Sequence, residues 1–304
     1  MAANADDASR ARAVALSPTR QHVREFLDSR LAVAGLVLLC AVLFIAAAAP
    51  WISPTNPYDL TTIELLDALL KPGAVGMDGL VHRLGSDGQG RDMLSAIFYG
   101  LRTSLLVGVA SGVGALAIGL TVGLVAAYFC GWTDILISRL VDLQLSIPSI
   151  LVALVLLSMF GQGVGKIIGA LIVVQWAFYA RTVRGAAMVE RRREYVEAAI
   201  CLGLGWRRVM FWHMLRNCLP PVVVVATVQV GNAIALEATL SFLGLGLPIT
   251  QPSLGLLIAN GFEYILSGRY WISVFPGLAL LVTIAAINLV GDRLRDVLNP
   301  RLRR

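Results

Sequence analysis

The sequence predicts an all-α integral membrane protein with six transmembrane helices, and two observations carry that prediction. First, only 14% of the 304 residues are charged and 57% are hydrophobic, whereas soluble domains usually carry about 25% charged residues. Second, the apolar residues gather into long runs with few charges. A helix needs about 20 such residues to cross a hydrocarbon layer about 30 Å thick. Composition therefore excludes an ordinary soluble globular domain.

The first apolar run extends from Leu31 to Ala49, carries no charge, and is followed by Pro50 and Trp51. Tryptophan concentrates at membrane interfaces, so this pair marks the end of the span. The polar segment before it is longer than a signal-peptide lead and lacks a convincing small-residue cleavage site. We therefore expect an uncut anchor. The remaining spans are predicted at about 102–128, 133–158, 166–188, 221–243 and 272–291.

These spans divide the chain into tails, loops and a membrane core. The predicted divisions are a cytoplasmic N-terminal tail at 1–30, a first transmembrane helix at 31–52, an extracytoplasmic segment at 53–100, a core transmembrane domain at 101–292 with a cytoplasmic loop at 189–220, and a cytoplasmic C-terminal tail at 293–304. Both termini are expected in the cytoplasm because most of the 25 Lys and Arg residues lie in the two tails and that loop, and short basic loops stay cytoplasmic. The positive charge thus indicates topology rather than a nucleic-acid partner.

No motif in the chain indicates catalysis. The segment from Gly161 to Lys166 looks like a phosphate loop, but the Walker pattern requires a glycine at position 160 and a hydroxyl residue at position 167. Phe160 and Ile167 occupy these positions. The four cysteines form no CxxC pair and no metal-ligand spacing with the histidines. We therefore expect no enzyme activity, and no cofactor or metal bound to this chain.

Small residues recur every fourth position along the second span. Side chains at this spacing share one helix face, and small residues let helices approach closely within a bilayer. We expect this face to pack inside the chain, with a partner subunit as the alternative for part of it. The residues are Ser111, Ala115, Gly119, Gly123 and Ala127.

The basic loop carries a predicted docking helix. Glu194, Tyr195 and residues 197–202 favour a short helix, which Gly203 and Gly205 would end in the left-handed conformation. A second helical stretch is predicted from Trp206 to about residue 215, and Leu219, Pro220 and Pro221 then open the fifth span. The short helix either docks into a groove on a partner protein or lies on lipid headgroups, and local chemistry leaves both open.

Polar side chains inside the spans are candidates for a functional role. A charge at the bilayer centre costs about 2.5–3.5 kcal/mol on insertion scales, so such groups usually face protein or water. Arg139 and Asp142 share a face of the third span, which predicts an intrahelical or inter-subunit ion pair, with gating as the alternative. Gln229, Asn232 and Glu237 lie in the fifth span. Glu237 is expected either to line the passage or to form a structural pair.

The loop also resembles that of a known family. Glu197, Ala198 and Ala199, followed by Gly203, resemble the EAA loop of ABC-importer permeases. Other segments resemble the C-type subunit of dipeptide and oligopeptide permeases, and the match covers roughly residues 25 to 304. Arg216 departs from the family pattern, which has a proline there. The matching segments are residues 82–87, 90–92, Arg139 with Asp142, 147–148, 240–246, 291–296 and 299–302.

The resemblance implies a type I ABC-importer permease fold in the bacterial inner membrane. The coupling residues that it implies are Glu194, Tyr195, Glu197, Ala198, Ala199 and Gly203. The implied partners are a homologous B-type permease, two ATPase subunits (fused or separate) that bind ATP and Mg, an extracytoplasmic substrate-binding protein, and membrane lipid.

The chain would then form half of a translocation pathway. Peptides are the favoured substrate, with nickel, glutathione and haem as alternatives. A self-sufficient secondary transporter is less well supported, because the sequence shows no internal repeat of the kind those proteins carry. An intramembrane enzyme would require a nucleophile and a base, and no such set can be assembled.

Overall fold

A computed structural model of the chain describes residues 18–59, 64–77 and 79–298. It opens with two helices, α1 (Pro18–Leu27) and α2 (Arg30–Ile52). Ser29 begins α2, since its hydroxyl accepts a hydrogen bond from the backbone N–H of Ala32 at 3.4 Å, as helix-capping serines do. The predicted first span lies within α2. The helix continues through Pro50 and Trp51 instead of ending there.

A small, irregular segment separates α2 from the next long helix. It holds a 3₁₀ turn (Leu65–Asp67) and an antiparallel hairpin of β1 (Ala74–Val75) and β2 (Val81–His82). Gly85 has φ +83°, and a Cβ there would lie 2.7 Å from the Leu70 carbonyl oxygen. Only glycine fits this position, because a side chain would collide with the Leu70 backbone and with the Trp271 ring. The absence of a side chain lets the segment lie close to Trp271.

Buried polar residues in this segment form a connected set, called here the polar cluster: His82, Ser86, Asp87, Arg91 and Asp92. The Asp87 carboxylate accepts from Arg91 Nε at 2.7 Å, and Arg91 Nη1 donates to the Ile249 carbonyl at 3.1 Å. Asp92 contacts His82 Nδ1 at 3.1 Å and accepts from Ser95 N at 2.9 Å. The cluster therefore fixes the start of the following helix.

The long helices α3 (Met93–Phe129) and α6 (Val164–Arg191) pack together along the small-residue face. A Cβ on Gly119 would lie 2.5 Å from the Trp176 carbonyl oxygen and 2.5 Å from Tyr179 Cβ. A Cβ on Gly123 would lie 2.7 Å from the Ala180 carbonyl oxygen. The small residues thus allow close packing within this chain.

The third predicted span is not one straight helix. It consists of α4 (Gly131–Ser146) and α5 (Ser149–Phe160), which meet at 87°. The bend falls inside the predicted range of 133–158. Pro148 lacks a backbone N–H and disfavours a helical conformation at the residue before it, and Ile147 is accordingly extended at φ −92°, ψ 131°.

The helix that contains the fifth predicted span begins well before residue 221. After α7 (Glu194–Cys201), a continuous helical stretch comprises α8 (Trp206–Arg208), a π-helical turn (Val209–Met214) and α9 (Leu215–Phe242). The prediction that prolines separate a loop helix from the span was wrong, since Pro220 and Pro221 lie inside α9. Burial of Cys218 and Val222 on either side of them in one apolar cluster holds the helix together.

Two more helices lie in the last part of the described chain. The short α10 (Leu254–Phe262) was not predicted, and the last span α11 (Trp271–Leu298) extends beyond the predicted 272–291. Ser253 caps α10, and Leu254 and Leu257 are buried with Met93, Trp271 and other residues in one apolar cluster. Within the described residues, five helices are long and apolar enough to cross a membrane, and the bent pair α4–α5 would supply a sixth span.

Candidate coupling site

The short helix α7 is held to the bundle by its apolar side. Val196 and Ala199 are buried in an apolar cluster with Leu124 of α3, Val183 of α6 and Met210 of the π-helical turn. The opposite side is exposed and acidic. The exposed residues of α7 are Glu194, Tyr195, Glu197, Ala198, Ile200 and Cys201. Of the predicted EAA motif, Glu197 and Ala198 are therefore accessible, while Ala199 serves to anchor the helix.

Tyr195 joins α7 to both neighbouring spans. Its hydroxyl donates to Glu190 Oε2 of α6 at 2.6 Å and accepts from Asn217 Nδ2 of α9 at 2.7 Å. Partial burial raises the pKa of the Tyr195 hydroxyl, and the hydrogen bond to the nearby Glu190 carboxylate raises it further. The phenol therefore keeps its proton at neutral pH and can donate to Glu190. A displacement of α7 would be transmitted to α6 and α9 through this residue.

Gly203 ends α7 as predicted, whereas Gly205 plays a different role. Gly203 has φ +73°, a conformation that suits glycine, and Leu204 N–H donates to the Ala199 carbonyl at 3.2 Å. Gly205 has φ −59°, so the predicted left-handed conformation was wrong. Its carbonyl accepts from Arg208 N at 2.9 Å, and it therefore begins the next helix.

Asp142 does not pair with Arg139 in this structure. Its carboxylate accepts from Arg181 Nη2 at 2.6 Å, because α6 lies against α4 and presents Arg181. The predicted intrahelical pair was wrong for this reason. Arg139 is exposed and belongs to no ion pair among the described residues.

Sequence reasoning missed a second ion pair between the same helices. Arg184 Nη2 donates to Asp134 Oδ2 at 2.7 Å, and Arg184 Nε also contacts this carboxylate. The available signal was the pair of acidic residues in α4, Asp134 and Asp142, two helical turns apart and therefore close to one face.

Glu237 is fully buried at 0% exposure. Its carboxyl oxygens accept from Ser104 Oγ at 2.9 Å and Ser241 Oγ at 2.8 Å, and the hydroxyl of Ser253, which caps α10, also bonds to it. The group therefore joins α3, α9 and α10 within this chain. No part of it reaches a surface along which a substrate could pass in this conformation.

The other two polar residues of α9 face different ways. Gln229 is buried and its Oε1 accepts from Asn232 Nδ2 at 2.7 Å, while Asn232 is exposed. Gln175 of α6, which sequence reasoning overlooked, donates to the Gln229 carbonyl at 3.3 Å. The candidate pathway residues therefore do not form one face: Glu237 and Gln229 point inward, whereas Asn232, Arg139 and Asp142 are exposed.

A bundle of long apolar helices with a short amphipathic helix anchored at one end is the architecture of a multi-pass membrane protein. Comparison with known proteins gives its family. Residues 119–304 match the family described as binding-protein-dependent transport system inner membrane component. Residues 17–72 match the N-terminal TM domain of oligopeptide transport permease C. The chain belongs to the family of binding-protein-dependent transport system inner membrane components.

Curated relatives align with almost the whole chain. The dipeptide transport system permease protein DppC of Escherichia coli (strain K12) is 42% identical over 291 residues, which cover 95% of each protein. The di/tripeptide transport system permease protein DppC of Pseudomonas aeruginosa (strain UCBPP-PA14) is 37% identical, covering 94% of this chain and 93% of the relative. The predicted assignment to permease subunits, which are transport components rather than enzymes, is confirmed.

A solved structure gives the fold. The MetNI methionine ABC transporter in inward-facing conformations aligns with a TM-score of 0.56 and 21% identity, covering 68% of this chain and 98% of that one. The predicted type I ABC-importer permease fold and multi-pass inner-membrane location are confirmed. Family membership implies that this chain works with a partner permease and ATPase subunits. The cytoplasmic placement of both termini stays a prediction.

Proposed function

We propose that this chain is the permease subunit of a peptide importer, forms half of the translocation pathway, and couples to ATPase subunits through α7. The substrate proposal rests on relatives named for dipeptide and di/tripeptide transport, which align over nearly the full chain. Nickel, glutathione and haem are the alternative substrates within the same type of importer. The partners we propose are a homologous B-type permease, two ATPase subunits that hold ATP and Mg, and an extracytoplasmic binding protein.

The anchored helix α7 is the observation that carries the coupling role. Val196 and Ala199 are buried against three elements of the bundle, while Glu194, Glu197 and Ala198 are left exposed. The exposed acidic face leaves charged groups available to a partner protein. A helix that docks into a groove on a partner must pack firmly against its own protein on one side and expose a free surface on the other.

Coupling follows from the connections of α7 to the spans. When ATP closes the ATPase dimer, the groove around α7 moves and α7 moves with it. Tyr195 bonds to Glu190 at the end of α6 and to Asn217 near the start of α9. Both spans are therefore displaced together, and the bundle changes between inward-open and outward-open states. This mechanism requires that the α7 loop and both termini lie in the cytoplasm.

The exposed polar residues outside α7 suit contacts between the two permeases. We assign Arg139, Asp142 and Asn232 to the surface that faces the second permease or the passage, because all three are exposed in the isolated chain. Arg139 is available to form an ion pair with an acidic residue of the second permease. Glu237 and Gln229 instead hold helices of this chain together, since both are buried and hydrogen-bonded internally.

Uptake by cells that carry charge-reversed variants tests this function. Glu197→Lys should abolish uptake of a radiolabelled dipeptide while the chain still inserts into the membrane at the wild-type level. Asp296→Lys is the matched control, because Asp296 is another exposed acidic residue and lies near the end of α11; uptake by this variant should stay normal. Wild-type uptake by Glu197→Lys would contradict the coupling role. Uptake of nickel, glutathione or haem, without dipeptide uptake, would contradict the peptide assignment alone.

A further inference from the structure

The helical stretch after α7 has an outward face that packing within this chain does not explain. Its inward residues Val209, Met210 and Met214 are completely buried in the apolar cluster beneath α7. The outward residues combine aromatic rings with arginines, and four of them line a shallow groove of about 510 Å³: Arg207, Arg208, Phe211 and Trp212. This face, called here the arginine–tryptophan face, consists of Trp206, Arg207, Arg208, Phe211, Trp212 and Arg216.

The arginines of this face lack carboxylate partners. None of Arg207, Arg208 and Arg216 takes part in an ion pair within the part of the chain that the structure describes. Two of them instead lie over aromatic rings: Arg207 is 5.0 Å from the Trp206 ring centroid, and Arg216 is 5.4 Å from that of Trp212. Two of the three positive charges on this surface are therefore held in place by aromatic rings, and none of the three is paired with a carboxylate among the described residues.

The aromatic rings indicate an environment that is neither water nor a protein core. Trp212 is 64% exposed and Phe211 is 39% exposed, so large apolar surfaces remain uncovered beside charged groups. Amphipathic aromatic rings and long basic side chains with apolar stems settle at the boundary between headgroups and acyl chains. The Trp206 ring also contacts the Phe129 ring at the end of α3, 5.7 Å between centroids, which fixes the face against the bundle.

The length of the helix places this face at the membrane boundary. The stretch from Trp206 to Phe242 has 37 residues, or roughly 55 Å of helix, whereas the hydrocarbon layer is about 30 Å thick. The sequence is uncharged from Asn217 to Leu236, which accounts for the hydrocarbon crossing. Residues 206–216 therefore lie beyond it, at headgroup level.

We infer that the arginine–tryptophan face binds the headgroup of an anionic phospholipid such as phosphatidylglycerol. The guanidinium groups of Arg207 and Arg208 would donate hydrogen bonds to the phosphate, as arginine does to phosphate oxygens elsewhere, while the rings of Phe211 and Trp212 lie among the headgroups. Basic pockets at the ends of membrane helices bind acidic headgroups in this way. The inference needs only the membrane location of the chain and does not depend on α7 contacting an ATPase.

A lipid titration of the purified full chain, followed by native mass spectrometry, tests the site. The wild-type chain should bind phosphatidylglycerol more tightly than phosphatidylcholine. The double variant Arg207→Gln/Arg208→Gln should lose this preference, a fall on the order of tenfold in affinity. Arg207→Lys/Arg208→Lys, which keeps the charge, should retain most of it. Arg102→Gln/Arg295→Gln removes two other exposed arginines and should bind like the wild type.

Several results would overturn the inference. One is equal binding of the two lipids by the wild-type chain. Another is an unchanged preference in the Arg207→Gln/Arg208→Gln variant, whose fold is checked by its thermal unfolding. Displacement of phosphatidylglycerol by inorganic phosphate as readily as by lipid would indicate a free-anion site instead. If the double variant kept its lipid but lost co-purifying ATPase subunits, the face would be a protein contact.

Discussion

The polar cluster before α3 and the helix α7 both carry charged residues, but those of the cluster are buried and those of α7 are exposed. In the polar cluster, Asp87, Arg91 and Asp92 are almost completely buried, and each has a partner. In α7, Glu194 and Glu197 are exposed and take part in no ion pair among the described residues, while apolar Val196 and Ala199 anchor the helix. Buried, paired charges hold the architecture together, whereas exposed charges on an anchored helix are available to a partner.

The largest expected effect comes from the polar cluster. Asp87→Asn leaves the Arg91 guanidinium buried without its carboxylate, and breaking a buried ion pair in this way typically costs roughly 3–5 kcal/mol. Thermal unfolding of the purified chain should therefore show a large loss of stability. Arg83→Gln is the matched control, because Arg83 lies in the same segment but is exposed. Similar stabilities of the two variants would mean that burial does not distinguish these charges.

A smaller effect is expected where α7 ends. Gly203→Ala places a side chain at φ +73° with nothing within 4 Å to clash, so the cost is that of the left-handed backbone alone, about 1–2 kcal/mol. Gly205→Ala should cost less, because Gly205 has an ordinary φ of −59°. Unfolding and dipeptide uptake of both variants check this. If Gly205→Ala proved the more harmful, the assignment of Gly203 as the helix end would be wrong.

Removing the Tyr195 hydroxyl should affect coupling more than folding. Tyr195→Phe loses the hydrogen bonds to Glu190 and Asn217, each worth about 0.5–1.5 kcal/mol, so the chain should still insert normally while uptake falls. Tyr270→Phe alters another exposed tyrosine and should change neither property. Equal uptake by the two variants would indicate that α7 reaches the spans by another route.

The ion pairs between α4 and α6 give the smallest expected change in the isolated chain. The Arg181 and Asp142 side chains are more than half exposed, and exposed pairs contribute about 0–1 kcal/mol. Arg181→Gln should therefore lower stability less than Arg184→Gln, since Arg184 and Asp134 are less exposed. Unfolding of the two purified variants would decide this, and the reverse order would contradict the comparison of exposure.

Local signals made much of this fold predictable. Lipid thickness requires long apolar runs, and these located five helices and the region of the bent pair. The prediction of a short helix from Glu194 that ends at Gly203 in the left-handed conformation is confirmed. Pro148 also carried a local signal for a break, but the apolar residues on both sides of it made the segment look continuous.

Contacts between distant segments could not be predicted in the same way. Asp142 is three residues from Arg139 in sequence, yet it bonds to Arg181 because α6 packs on α4. Glu237 is satisfied by hydroxyls from α3 and the cap of α10, a helix that was itself not predicted. Whether a polar residue lines a passage or holds helices together depends on such neighbours. Residues that are close in sequence do not reveal them.

The most direct test asks what the exposed face of α7 touches in the working importer. A photo-crosslinking amino acid at Ala198, which is exposed beside Glu197, is activated in native membranes, with the same group at Asp296 as the control. The coupling account predicts a crosslink from position 198 to an ATPase subunit, and a far weaker one from position 296. Crosslinks from position 198 to lipid alone would contradict it.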